Sequence, residues 1–310
     1  MIPIGAGHER APSAGSGRRA LDRVAGSPLL HVLARAGFGA KAFLYANIGY
    51  FALRRASGWH GPLLDVKEVL TRLARSSLGP ALSALVGAGI ACLGCWFVIE
   101  ALANPAARRG AWAAVSRVGQ AVGGLGYVGL GAVGIRILFG LSVGPSGDSL
   151  ARTGVAEALG IPGGPVVAGA LGAIGVGVGI RQAAQGISRS FLSSLDLSEV
   201  PAAIRWWAVL LGTIGFVAQG WLFASAGALV LRATLARAPG EAAGTRGVLK
   251  LLAHEPFGPI LLGAMALGLL GYAAYAVVEA SARRFPAGSV TSPSARTGPS
   301  DRRPGDRRGA

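Results

Sequence analysis

Few residues of this chain could do chemistry, and most of them lie where chemistry is expensive. Lys41 and Gln219 fall inside long apolar stretches, and Glu100, Gln185 and Glu279 stand near the far ends of three others. An ionised side chain at the centre of a membrane-spanning helix costs about 2.5–3.5 kcal/mol, less if it snorkels to an interface. Such a group therefore needs a partner, an exit or a function. Lys41 lies about eight residues inside its stretch, and Glu100, near the end of the next one, is the partner that segment order suggests. A Lys41–Glu100 pair would serve as a polar clamp at one rim or as part of a proton or ion relay. Asn47 and Ser225 occupy one shared register position and suit hydrogen bonding between helices. Arg181 takes the place of Trp96 and Tyr275, where aromatic belt residues and snorkelling arginines interchange, and receives no function.

Three arginines, Arg54, Arg136 and Arg232, end three of the apolar stretches on the opposite side. A guanidinium there meets the negative end of a helix dipole and reaches the interface. The plain reading is a snorkelling anchor. The sharper one is a ring of three guanidinium groups that attracts an anion or a lipid headgroup.

Other chemistries lack their residues. Cys92 and Cys95 form a Cys-x-x-Cys, but within an apolar helix the thiolate is disfavoured and small packing residues are the simpler reading. His8, His31, His60 and His254 are scattered and make no metal-spaced pair. No Ser, His and acid constellation can be placed, and no glycine-rich loop carries the lysine of a phosphate cradle. Catalytic, cofactor-binding and metal-ligating residues are accordingly expected to be none.

The elements that position these groups follow from hydropathy. Only 14% of residues are charged and 52% are hydrophobic. Six stretches, near 33–54, 80–103, 114–140, 164–186, 205–231 and 258–281, are long enough to cross a hydrocarbon core as helices. The sequence therefore predicts an all-α integral membrane protein of six spans. The net charge of +16 sits in tails and at helix ends rather than on one face. That distribution suits anionic lipid headgroups and argues against a nucleic acid partner. Arginine and lysine beside the spans number 17 on the side of the termini and 11 opposite, which places both termini in the cytoplasm. The N-terminal tail lacks the apolar core of a signal peptide, and the Pro-, Gly- and Arg-rich C-terminal tail is read as disordered.

The spans repeat in pairs. Gly37-Phe38-Gly39-Ala40-Lys41, Tyr45 and Gly49 in the first odd span correspond to Gly119, Gly123, Tyr127 and Gly131 in the second, and to Gly215, Gln219, Phe223 and Gly227 in the third. Arg54, Arg136 and Arg232 each follow five residues after the last glycine. Gly79-Pro80, Gly164-Pro165 and Gly258-Pro259 open the even spans, and Glu100, Gln185 and Glu279 each follow 21 residues after that glycine. Two spans per copy give every copy the same direction, so the copies are related by a pseudo-threefold axis along the membrane normal. The organisation expected is a basic tail over 1–32, repeats over 33–103, 104–186 and 187–281, and a second basic tail over 282–310. Amphipathic pieces such as 66–73 and 246–252 are expected to lie as short helices on the outer interface.

The pattern Gly37-Phe38-Gly39-Ala40-Lys41 with Tyr45 and Gly49, and Pro256-Phe257-Gly258-Pro259 with Leu267-Gly268-Leu269 and Tyr272, resembles a family of bacterial multi-pass membrane proteins. That family is known as a domain of unknown function, the one numbered 1206, and the resemblance covers roughly 33–281. It implies this topology and a bacterial plasma membrane, and transfers no activity. The middle repeat departs most, with Gly123 where the others carry Lys41 and Gln219. With small-residue faces abundant and chemistry sparse, the reading is a non-enzymatic module that organises lipids or a complex. The alternative is a small-solute or ion transporter or channel using the intramembrane Lys, Glu and Gln groups. Expected partners are the bilayer, its anionic headgroups at the tails, and a protein partner or second copy; no cofactor is expected.

Overall fold

The computed structural model describes residues 28–103, 111–195 and 202–282. Its elements are α1 (Pro28–Ala56), α2 (Val66–Leu73), α3 (Gly79–Ala103), α4 (Ala111–Leu138), α5 (Gly147–Leu159), α6 (Gly164–Ile187), α7 (Ala202–Leu235), α8 (Thr245–His254) and α9 (Gly258–Ala282). Six are long, and α2, α5 and α8 are short connectors between them. Most of the two basic tails lies outside the described residues, and α1 begins five residues before the expected start of the first span at 33.

Local signals explain the boundaries. Asp65 caps α2 in a full capping box with Glu68, and Ser146 caps α5 through Ser149 N–H. Proline in the first turn opens α6, preceded by Gly163 at φ +77°, a left-handed conformation that costs glycine little.

Among the described residues, five helices are long and apolar enough to cross a membrane: Gly79–Leu102, Arg117–Leu138, Gly164–Ile187, Arg205–Leu235 and Gly258–Ala282. Large apolar side chains such as Val166, Val167, Ile260 and Leu267 point outward from them, as lipid-facing helices require. These features mark a membrane protein. The expected first span, α1, is not among the five. It is 29 residues long but carries Arg35, Lys41, Arg54 and Arg55 along with Asn47. Much of it is nevertheless buried, with Phe38, Leu44 and Ile48 in the protein core.

The long helices pair most extensively as α3 with α4, α6 with α7, and α9 with α1. In lipid no hydrophobic force drives helices together, so close backbone approach through small residues does the work. Gly87 meets Gly131, and Gly94 meets Gly124: a Cβ added to Gly87 would lie 2.7 Å from the Gly131 carbonyl oxygen. Gly172 meets Gly227 in the same manner, with a Cβ on Gly227 falling 2.7 Å from the Gly172 carbonyl oxygen, and Gly179 meets Gly220. A Cβ on Gly49 of α1 would lie 3.1 Å from the Ala266 carbonyl oxygen of α9. Contacts of α1 with α3 and of α7 with α9 are intermediate, whereas α4 and α6 scarcely touch.

Replacing Gly131 or Gly220 by leucine should therefore force two backbones apart and destabilise the protein by about 1–3 kcal/mol or more. Gly129→Leu, with nothing within 4 Å of its added Cβ, should be tolerated. Thermal unfolding in detergent compares them.

Candidate functional site

The seam between α4 and α6 stays open for a reason visible in side-chain volume. In the first helix pair Gly89 packs on Ala36 and Ala40; in the last, Gly268 packs on Ile214 and Ala218. The corresponding residues of the middle pair are Ile174, Val118 and Val122. The glycine that lies opposite Ala40 in one pair and Ala218 in the other has become isoleucine opposite Val122, and the backbones stand further apart.

Behind the seam lies a cavity of about 750 Å³. Gly123 and Gly126 of α4 line it, and a Cβ on either would meet nothing within 4 Å. At the same register the other odd helices carry Lys41 with Leu44 and Gln219 with Leu222, all buried. The middle helix thus leaves empty what the others fill. One face of α6, from Ala173 to Gln185, forms the opposite wall. At 1.5 Å per residue that wall is about 18 Å long.

The cavity is polar at the end shared with the start of α1 and apolar beyond. Lys41, Glu100, Gln120, Arg181, Gln185 and Glu279 line the first part; Leu44, Ile90, Leu130, Ile174 and Phe223 line the second. Val66 and Thr245, opening α2 and α8, lie at the far side.

Lys41 is 4% exposed and does not pair with Glu100, correcting the sequence expectation. Its Nζ lies 3.4 Å from Glu279 Oε2 and donates to the Tyr272 hydroxyl at 3.0 Å. It also sits 4.9 Å from the centroids of both the Phe38 and Tyr272 rings. The reason is topological: each even helix packs most closely on the odd helix that follows it around the ring, so α1 receives the glutamate of α9. Glu100 accordingly faces α4, where its Oε2 accepts from Gln120 Nε2 at 2.7 Å.

Gln219 is fully buried. It accepts from Gln182 at 2.5 Å and donates to the Tyr45 hydroxyl at 2.6 Å. Gln182 and Tyr45 line the cavity, so this chain of bonds ties its α6 wall to α1. Sequence reading missed Gln182, Tyr45 and Gln120, although the place of Tyr45 and Tyr127 in the repeated pattern was a usable signal. Asn47 bonds the Phe43 carbonyl of its own helix at 2.8 Å rather than a neighbour. Cys92 and Cys95 are free thiols on α3.

The three arginines are each engaged beside their own helix end. Arg136 donates to the Ser142 carbonyl at 2.6 Å, Arg232 pairs with Glu241 at 3.0 Å, and Arg54 lies 5.0 Å from the Trp59 ring centroid. On that side sequence reading missed a larger feature, a cluster joining the connector helices. Asp65 Oδ2 accepts from Gly147 N–H at 3.1 Å at the start of α5. Asp148 Oδ1 accepts from Gly244 and Gly247 N–H at 2.8 and 2.9 Å at the start of α8. Arg246 of α8 then pairs with Glu68 of α2 and lies 3.7 Å from Asp148. Each connector therefore caps or clamps the next. The capping-box spacing of Asp65 and Glu68 announced the cap but not its second acceptor. Burial pushes the Asp65 carboxyl above its usual range; the Gly147 N–H pulls it partly back, and the Asp148 charge adds to the rise.

Two stretches of the chain, residues 36–104 and 214–283, match the model of the family described as Domain of Unknown Function (DUF1206). They cover the first and last pairs of long helices. The uncharacterized protein YxxB of Bacillus subtilis (strain 168) is similar to this chain, 25% identical over 253 residues that span 81% of this chain and 90% of that protein. No solved structure matches.

Removing one partner of a buried ion pair leaves an uncompensated charge and costs about 3–5 kcal/mol. Lys41→Met should thus lower stability strongly and Lys41→Met/Glu279→Met should recover most of it, whereas Glu100→Gln should add to Lys41→Met without coupling. A double-mutant cycle by thermal unfolding reads this. For Asp65 the folded carboxyl holds its proton more tightly than the unfolded one. Stability is therefore lost as pH rises from about 4, the unfolded value, through the raised folded value, and is flat above. Asp65→Asn should shrink that loss in unfolding measured across the acid range.

Proposed function

We propose that the chain is a six-span protein of the bacterial plasma membrane, a non-enzymatic binding module whose central cavity receives a small molecule. Its three two-helix repeats stand about a pseudo-threefold axis along the membrane normal, with both termini cytoplasmic. The first helix counts as the sixth span because Glu279 and the Tyr272 hydroxyl compensate its one interior charge, Lys41. The glycine crossings of Gly131 on Gly87, Gly227 on Gly172 and Gly49 on Ala266 fall at one repeat register and support the threefold arrangement. The excess of arginine beside the termini supports the orientation.

The observation that carries the function is convergence of Lys41, Glu100, Gln185 and Glu279, from four helices, on one cavity of about 750 Å³. That volume falls within the roughly 300–1,000 Å³ of small-molecule sites. Polar groups taken out of water are costly, and a bundle serving only as packing would have no need to gather them around a space. Transport is the second reading, favoured by the cavity's reach from the helix ends bearing Glu100 and Gln185 to Val66 and Thr245 on the other side. The basic tails add attraction to anionic headgroups.

Gly126→Leu should fill the cavity with the side chain that the other repeats carry there. Native mass spectrometry of purified protein should show a stoichiometric small molecule in wild type and Gly129→Leu, and none in Gly126→Leu. Equal retention in Gly126→Leu, or no retained molecule in wild type, would overturn the reading.

A further inference from the structure

We infer that the seam between α4 and α6 is a lateral opening through which a single-chain amphiphile with a net-neutral polar head, a monoacyl lipid, passes from the bilayer into the cavity. The inference rests on the cavity being a binding site and specifies its occupant and route.

Three observations carry it. The seam is where neighbouring long helices lack a close backbone-to-backbone crossing, because Ile174 and Val122 replace the glycine and alanine used elsewhere. Val118 and Val122, at 53% and 39% exposed, open onto the surface that faces lipid. The cavity is graded like the leaflet beside it. Glu100, Gln185 and Glu279 lie in the last turn of α3, α6 and α9, at headgroup depth, while Leu130, Ile174 and Phe223 lie at hydrocarbon depth. An amphiphile sliding sideways keeps its head at polar depth and its chain at apolar depth throughout, so it crosses no desolvation barrier of the kind a charged solute meets. The charges at the polar end balance: Lys41 is answered by Glu279, and Arg181 and Glu100 contribute one of each sign. A net-neutral head with donors and acceptors, as in a lysophosphatidylcholine, matches that set together with Gln182 and Gln185. A polyanionic head does not.

The seam can be clamped reversibly. A Cβ added to Gly119 of α4 would lie 3.3 Å from Val178 Cγ2 of α6, close enough for a disulfide between cysteines at the two positions. Gly119→Cys/Val178→Cys, placed in a Cys92→Ala/Cys95→Ala background and reconstituted in phosphatidylcholine vesicles, would be exposed to lysophosphatidylcholine carrying a photoactivatable acyl chain. Crosslinks would be mapped by peptide mass spectrometry. Reduced protein should be labelled on the peptides holding Gly126 and Ile174; oxidised protein should not be labelled there, and oxidation after loading should trap the label. Thermal unfolding of both redox forms checks that each is folded. Equal labelling of oxidised and reduced protein would overturn the lateral route while leaving the cavity reading intact. Absence of cavity labelling in both forms, with another small molecule retained on purification, would overturn the lipid and leave the site. Absence of any bound molecule would overturn both.

Discussion

Helices already in hydrocarbon gain nothing by leaving it, so this bundle depends on how near its backbones can come. Where glycine faces glycine, as at Gly94 with Gly124 or Gly179 with Gly220, the main chains touch and every atom of both helices nearby gains dispersion contacts. The pairs so formed are α3 with α4 and α6 with α7, consecutive long helices, and α9 with α1, the last with the first. Close packing and ring closure are therefore the same event. The cavity is the complement of this rule, appearing where Ile174 and Val122, larger than their counterparts, keep two backbones apart.

Polar groups follow the same geometry. The cationic Lys41 is held by an anion, a hydroxyl and two aromatic faces, all but Phe38 supplied by α9. The Gln182, Gln219 and Tyr45 chain runs from α6 through α7 to α1. At the opposite end Asp65, Asp148 and Arg246 pass backbone caps and ion pairs from α2 to α5 to α8 and back to α2. Both ends of the bundle are thus tied between helices, which leaves the α4 and α6 seam as the side held least.

Much of this was legible in the sequence. The Gly-Pro starts at 79, 164 and 258 coincide with helix boundaries, and of the expected polar positions Lys41, Glu100, Gln185 and Glu279 line one cavity whereas Gln219 does not. What failed was the assignment of partners. Lys41 was given to Glu100 because they are neighbours along the chain, whereas helix pairing in the ring joins α1 to α9, a relation that local periodicity does not carry. The departure at Gly123 was legible as a difference but not as a space, since a missing side chain becomes a cavity only once its surroundings are known. The three connector helices hid their role because a capping box in α2 reveals its own Glu68, not the Gly147 N–H of α5 that Asp65 also serves.

The Lys41 and Glu279 pair spans 238 residues of chain. Synthesis runs from the N-terminus, so α1 emerges with its lysine long before the glutamate that neutralises it exists. Until α9 is made, the lysine of α1 has neither Glu279 nor the Tyr272 hydroxyl beside it, and the composition of α1 is the least apolar of the six long helices. The first helix can pack on α3 early, through Gly37 and Gly89, but the anion that answers its lysine arrives only with the final helix.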